Sequence, residues 1–378
     1  MDYILRYPST CARFKLLVLN SYAGLVKVRK LIDIRNMLKS QLADAFALLI
    51  CLCASACPTD AQHSETHVVP VTVLTMDGKP VSNLQPQNVR VHGRDVQVNR
   101  FSLDTSPRRI VLLIDISGSM GISNGRVDLL QAAVHTATLF LDRASSVDSI
   151  SVHLFAEKER EVVPFTSHLG VIRAAIMNLP KPGTEQTKKE YGTRTDLDNA
   201  LNSILTVLFE RPQFGDAIII FSDGRFPRSG EGDILSYYDQ PDYLRGVTSR
   251  LGTVGVRVFF SLAGNVAGAP PLHGIELFVG ATGGESFELH DSGPSFYGAN
   301  NPYDWPKAPI YRSDSLEQRA LALSAAVQDT YRLLLQFTRP LEKPTRLHLD
   351  LVDERGKALH NVVVLSPALV YPEAKTQP

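Results

Sequence analysis

The stretch Ile110-Val111-Leu112-Leu113-Ile114-Asp115-Ile116-Ser117-Gly118-Ser119-Met120 decides how the rest of the chain is read. An unbroken apolar run rich in β-branched residues describes a strand covered on both faces, not one with a wet side. Working outward, helices are expected over 127–143, Leu169–Leu179, Leu197–Phe209, Tyr243–Leu251, Leu272–Ala281 and Leu316–Asp329. Strands are expected over Ser149–Phe155, Ala217–Phe221, Val256–Leu262 and Glu285–Leu289. Apolar strands alternating with helices predict an α/β fold with a doubly wound, mostly parallel sheet, and in such sheets ligands sit at the carboxyl ends of the strands.

The flanks read differently. Val68–Leu74 is a β-branched run ending in the turn Asp77-Gly78-Lys79-Pro80, followed by short strands at Val89–His92 and Val96–Phe101. Three strands without a helix need a partner sheet. The C-terminal strands Tyr331–Phe337, Arg346–Val352 and Val362–Leu365 supply one, so the two ends of the chain are expected to meet in a flanking β-sandwich. The resulting plan is an N-terminal extension (1–61), a strand segment (67–105), the α/β domain (106–290), a loop and helix (291–330) and the completing strands (331–370).

Lys plus Arg and Asp plus Glu both count 39, so the chain lacks the cationic excess that phosphate backbones demand, and nucleic acid is not an expected partner. All four cysteines (Cys11, Cys51, Cys53, Cys57) precede residue 58, which excludes a disulfide framework or a thiolate zinc site from the folded body. Lys39, the apolar run Ala45–Ala54 and the small residues Ala54-Ser55-Ala56 follow the layout of a secretory signal peptide over 37–56 or 37–61, with Met37 as its start. The apolar run is too short for a membrane span, and none is expected in the mature chain. Ala54-Ser55-Ala56-Cys57 also resembles a degenerate lipobox, which leaves a lipid anchor on Cys57 as an alternative to simple cleavage. Export to the periplasm or the exterior is the expectation.

Asp115, Ser117 and Ser119 place three oxygen donors in the turn at the end of the buried strand. Carboxylate and hydroxyl oxygens are hard ligands that suit octahedral Mg²⁺ or Mn²⁺ at about 2.1 Å. Gly118 is expected to permit the tight turn between them. Thr193-Arg194-Thr195-Asp196 stands before one helix, and Ser222-Asp223-Gly224 ends a second strand. Taken singly, these residues also read as helix caps and turn formers.

In residue type, order and placement, Asp115, Ser117, Ser119, Thr195 and Asp223 resemble the metal-ion-dependent adhesion site of von Willebrand factor A domains. The resemblance covers roughly Arg109 to Leu289. Thr195 is favoured over Thr193 because Ala200-Leu201 follows it at the family's spacing. Asp77-Gly78-Lys79-Pro80-Val81, Ala281-Thr282-Gly283-Gly284-Glu285-Ser286-Phe287 and Tyr331-Arg332-Leu333 are similar to a bacterial subfamily known largely from acidobacteria. The resemblance implies a magnesium-type site that grips a protein partner, whose Asp or Glu carboxylate completes the shell, and no enzymatic activity. Around the mouth of the site, Lys181–Arg194 (Lys188, Lys189, Arg194), Arg225–Asp242 (Arg225, Arg228, Tyr237, Tyr238) and His290–Asp314 (Tyr297, Tyr303, Trp305, Tyr311) are long loops that either set specificity or are simple insertions.

Two other functions compete. A serine hydrolase would use Ser117 or Ser119, but Ser117-Gly118-Ser119-Met120-Gly121 lacks the first glycine of a nucleophile elbow. No histidine stands at an evident strand end with a carboxylate, and His153 reads as a packed or surface residue of a strand. No phosphate-cradling Gly-x-x-x-x-Gly-Lys loop exists either. The remaining alternative is a scaffold in which the metal serves stability alone.

Overall fold

The computed structural model describes residues 64–93, 95–121, 128–210, 213–223, 251, 255–262, 279–289, 310–313 and 315–372. All of these lie in one compact unit, Gln62–Pro378. The expected export segment and Cys57 lie outside the described residues, as do the helix over Tyr243–Leu251 save its last residue and most of the helix over Leu272–Ala281.

In chain order, β1 (Glu65–Thr75), β2 (Val89–Val91) and β3 (Val96–Leu103) precede the buried strand β4 (Arg109–Asp115). Then come α1 (Leu129–Leu141), β5 (Ser149–Phe155), β6 (Glu159–Thr166), α2 (Leu169–Met177), α3 (Glu185–Tyr191), α4 (Leu197–Glu210) and β7 (Ala217–Ser222). The chain continues through β8 (Arg257–Leu262), β9 (Ser286–Leu289), β10 (Ile310–Ser313) and α5 (Leu316–Gln328). It closes with β11 (Thr330–Phe337), β12 (Thr345–Arg346), β13 (Leu349–Leu351), β14 (Val362–Leu365) and β15 (Leu369–Val370).

The central sheet has the order β10-β9-β8-β7-β4-β5-β6, parallel throughout except for β6, which runs antiparallel to β5. Alternate residues of β4 explain why it is apolar throughout. Ile110, Leu112 and Ile114 face a core shared with α1, α2 and α5, whereas Val111 and Leu113 face a second core shared with α4. The sheet is therefore doubly wound around β4, whose neighbours are β5 on one side and β7 on the other. Asp128 starts α1 by accepting the Gln131 amide at 3.0 Å, which satisfies one of the free N–H groups of the first turn.

Three features depart from the sequence expectation. Strand β6 was not among the expected elements; it is an edge strand with a charged start, on which only Val163 is buried. The stretch 291–330, expected to hold loop and helix, also adds the parallel strand β10 to the central sheet. The expected strand Arg346–Val352 is split, since β12 pairs with β15 while β13 pairs with β2, and Leu347 turns its amide to the Ala368 carbonyl (3.0 Å) between them.

The chain ends do meet. β1 lies between β11 and β14, and β11 pairs in turn with β3, giving an antiparallel sheet of order β14-β1-β11-β3. Val69, Val71, Val73, Phe101, Leu333, Leu335 and Phe337 form its core together with Val89 and Leu351 from the β2–β13 pair and Leu347 from the link between β12 and β13. Phe101 stacks on Tyr331 with centroids 4.6 Å apart. Leu74 and Leu365 belong instead to the core under the central sheet, so the two sheets share packing.

Gly284, at the entry to β9, is held against β8 so closely that an added Cβ would stand 1.7 Å from the Val258 carbonyl oxygen. Gly284→Ala must push two backbones apart, and a loss of about 2–3 kcal/mol is expected from urea unfolding. A change below about 0.5 kcal/mol would show that β8 and β9 part at little cost.

Candidate metal centre

Strand β4 carries Asp115 to the carboxyl edge of the sheet with its side chain fully buried (0 % exposed). Backbone pairing holds it there, since Ile116 continues the ladder by donating its amide to Phe155 O at 2.9 Å. The chain then turns back on itself. The Ser117 amide donates to Asp115 Oδ1 at 2.8 Å, and the Met120 amide donates to the Ser117 carbonyl at 3.1 Å. Met120 is buried beneath this 3₁₀ turn (Gly118–Gly121) and anchors it. The turn brings the Ser117 and Ser119 hydroxyls to 3.0 Å of one another.

Gly118 plays no part in making the turn. Its φ is not positive and a Cβ there would meet nothing within 4 Å, so the expectation that the turn requires glycine is corrected. The packed glycine is Gly121, where a Cβ would come within 3.2 Å of Pro182.

Strand β7 supplies the other wall. Ser222, its last residue, is buried and donates its hydroxyl to Asp115 Oδ2 at 2.7 Å. Asp223 follows at once and is 9 % exposed. The two carboxylates feel one another: burial first, and then the negative charge of Asp223, push the Asp115 carboxyl up to about 7, against the hydrogen bonds from Ser117 and Ser222. Sequence reading used Ser222 only as a strand end; the signal was its place beside Asp223 on the strand adjacent to β4.

Thr195 is buried at the head of α4. The next residue, Asp196, donates its amide to Ala156 O at 2.7 Å, just past the end of β5, so α4 starts at the same edge of the sheet. Asp196 also caps α4 by accepting the Asn199 amide at 3.0 Å. Thr193 is exposed, with its amide on Glu157 Oε2 at 3.3 Å. The five candidate ligands thus lie on β4 and the turn after it, at the end of β7 and in the turn before α4, and β4 and β7 flank the point where strand order reverses, the usual ligand crevice of a doubly wound sheet.

Residues 110–225 match the family model described as the von Willebrand factor type A domain. The chain contains a von Willebrand factor type A domain. The match begins with β4 and ends two residues beyond Asp223, so all five candidate ligands fall inside it. Among solved structures, the hypothetical protein BatB from Bacteroides thetaiotaomicron is 18% identical over 40% of this chain and 65% of its own, with a TM-score of 0.32. The chain thus spans just under two thirds of that protein. A von Willebrand factor type A protein from Catenulispora acidiphila is 11% identical over 78% of this chain and 76% of its own, with a TM-score of 0.40. Proximal thread matrix protein 1 from the mussel byssus, with a zinc-occupied adhesion-site motif, is 17% identical over 41% of this chain and 35% of its own, with a TM-score of 0.30. No curated protein matches the chain.

Two sequence readings around the A domain change. Lys181–Arg194 is not an open loop: it contains α3, capped by Thr184 on the Thr187 amide and ending at the buried Tyr191. Arg225–Asp242 and most of His290–Asp314 lie outside the described residues. His153 does have a carboxylate partner, since Nδ1 meets Glu159 Oε1 at 2.5 Å and Nε2 meets Ser151 Oγ at 3.2 Å. Ser151 is wholly buried, however, so no substrate reaches its hydroxyl.

Proposed function

We propose that the protein binds a divalent cation, Mg²⁺ or Mn²⁺, at Asp115, Ser117, Ser119, Thr195 and Asp223, and through it captures an acidic side chain of a protein partner. The observation that carries this reading is the meeting of two buried carboxylates and two hydroxyls at the mouth of β4 and β7. Like charges brought together in a buried crevice are costly unless a cation joins them. The donors are all oxygens, which fits a hard cation. A bound cation would supply a Lewis-acidic open position for the partner's carboxylate. The chain's own part would be to hold that cation in place: Ser117 N–H and Ser222 O–H fix both oxygens of Asp115, and the Ser117 and Ser119 hydroxyls, 3.0 Å apart, would serve as further oxygen donors.

The rest of the reading follows the sequence. The signal-type segment at 37–56 supports an exported bacterial protein, and Cys57 is the residue that a lipid anchor would use. Among the described residues no helix is long and apolar enough to cross a membrane. The role is binding and not catalysis. The one serine–histidine–carboxylate arrangement described, at Ser151, His153 and Glu159, is sealed, which speaks against the hydrolase alternative.

Calorimetry on the purified protein tests the proposal. Mg²⁺ or Mn²⁺ should bind saturably, Asp223→Ala should abolish the binding, and glutamate-containing peptides should be retained only when the cation is present. If Asp223→Ala instead lowers the melting temperature in step with metal loss, the ion is a structural one in a scaffold. Failure of the intact protein to take up cation even in concentrated acetate sinks the metal site altogether.

A further inference from the structure

The small sheet β2–β13 carries a group of side chains that the A domain does not use. Its register pairs Leu349 with Val91, Asp350 with Arg90 and Leu351 with Val89. Val89 and Leu351 are buried in the core of the antiparallel sheet, and Val91 and Leu349 pack against it. Strand residues alternate between faces, so the intervening positions must face solvent. Continuing the register one step sets His92 opposite His348, and the His92 amide does donate to the His348 carbonyl at 3.0 Å. The outer face of this sheet therefore presents His92, His348 and Asp350 as a cross-strand pair and its diagonal neighbour.

Their donor atoms converge. His92 Nε2 lies 2.6 Å from Asp350 Oδ2, and His348 Nε2 lies 3.7 Å from Asp350 Oδ1. One donor from each of the three residues falls within 4.8 Å of the others. The two imidazole rings stand 4.8 Å apart, centroid to centroid. A tetrahedral cation with bonds of about 2.1 Å needs its ligands about 3.4 Å apart, so the exposed rings need only small rotations to meet one. Arg90, opposite Asp350, turns its guanidinium to the Gly356 carbonyl (3.3 Å) instead of into the cluster.

We infer that His92, His348 and Asp350 form a second metal site, separate from the A domain, that takes a borderline transition cation of the zinc class. Two imidazoles and one carboxylate suit Zn²⁺, Ni²⁺ or Cu²⁺ and are poor ligands for Mg²⁺, whereas the oxygen set around Asp115 has the reverse preference. Both histidines are exposed and Asp350 is only half-buried, so water can take the remaining coordination positions. The strands that the cation would clip together are far apart in sequence, His92 and Asp350 being 258 residues distant. Its binding energy would therefore be felt as stability of the sheet that joins the two chain ends. The alternative is a plain surface ion pair, which contributes little and has no metal dependence.

The test uses the untagged protein with Asp115→Asn, so that the first site is silent, and with its cysteines alkylated so that they do not compete for metal. Zn²⁺ should bind one equivalent and raise the melting temperature. Adding His92→Gln and His348→Gln should weaken that binding about tenfold or more while leaving the circular dichroism unchanged. With Cu²⁺, the electron paramagnetic resonance spectrum should show coupling to two imidazole nitrogens that the histidine substitutions remove. The same histidine pair in the otherwise unaltered chain, under excess Mg²⁺, should give the same difference. Absence of Zn²⁺ uptake in the Asp115→Asn protein, or affinity and spectrum unchanged by the loss of both histidines, would overturn the inference.

Discussion

Asp115→Asn is expected to stabilise the metal-free protein at pH 8 while abolishing its response to Mg²⁺. The substitution keeps the shape of the site: the amide oxygen accepts from the Ser117 N–H, and the amide N–H₂ donates to a Ser222 hydroxyl that has turned round. What it removes is a buried charge beside Asp223. Burial and that neighbour raise the Asp115 carboxyl from 3.8 to about 7. A carboxyl whose folded pKa is raised favours folding in its neutral form. That contribution is complete below the ordinary carboxylate pKa and disappears as pH rises through about 7. Stripped of metal by EDTA, the wild-type protein should therefore lose about 2–3 kcal/mol of stability between pH 5 and pH 8, and the asparagine variant should not. Mg²⁺ should restore the wild type alone. Its affinity should rise about tenfold per pH unit up to neutrality, because binding displaces the Asp115 proton. Thermal melts at the two pH values decide the matter: an asparagine variant that melts below wild type at pH 8 in EDTA would show that the carboxylates do not repel.

Arg257→Met should cost about 3–5 kcal/mol, although Arg257 is nowhere near the metal centre. The guanidinium is wholly buried at the start of β8 and lies over the Phe259 ring. Nη1 donates to Thr72 Oγ1 (3.0 Å) and Ala326 O (2.9 Å); Nη2 donates to Val327 O (2.9 Å) and Thr330 Oγ1 (2.6 Å). Ala326 and Val327 are among the last residues of α5, so the cation meets the free carbonyls and the negative end of that helix. Burial and the like charge of Arg108 act against it, and Asp104 acts for it. One side chain thus joins the central sheet, α5, β1 and β11. Lysine cannot replace it, since a point charge with three donors does not reproduce the flat fork, and Arg257→Lys should recover less than half of the loss in urea unfolding. Losses under about 1 kcal/mol for both variants would mean that water takes over the four acceptors.

The central sheet was legible because β4 and β7, at its centre, are apolar on both faces, and only a two-sided cover satisfies such a strand. The pairing of the chain ends was legible from a deficit, since β1, β2 and β3 have no helix to pack against. The sequence hides β6 because this edge strand buries little: it is mostly charged at its start, and its only buried residue is Val163. It hides the break between β12 and β13 because a change of pairing partner leaves the alternation of polar and apolar residues intact. At the site, residue types and order pointed to Asp115, Ser117, Ser119 and Asp223, while Ser222 is a matter of which strands are neighbours. The cross-strand meeting of His92 with His348 and Asp350 is likewise invisible in the sequence, because it depends on register between segments at opposite ends of the chain.

The A domain leaves the antiparallel sheet after β3 and returns to it at β11, and these two strands are themselves paired. The first and the last long strands of the described chain, β1 and β14, are direct neighbours in this sheet. Because β1 and β14 run antiparallel with Thr72 opposite Leu365, a pull applied across the two ends leaves the sheet from one side. It peels the pairs open one after another, beginning at the C-terminal strands, and does not shear them together. Tension between Glu65 and Leu365 is thus expected to be spent first on that peeling, before any of it reaches the crevice at Asp115.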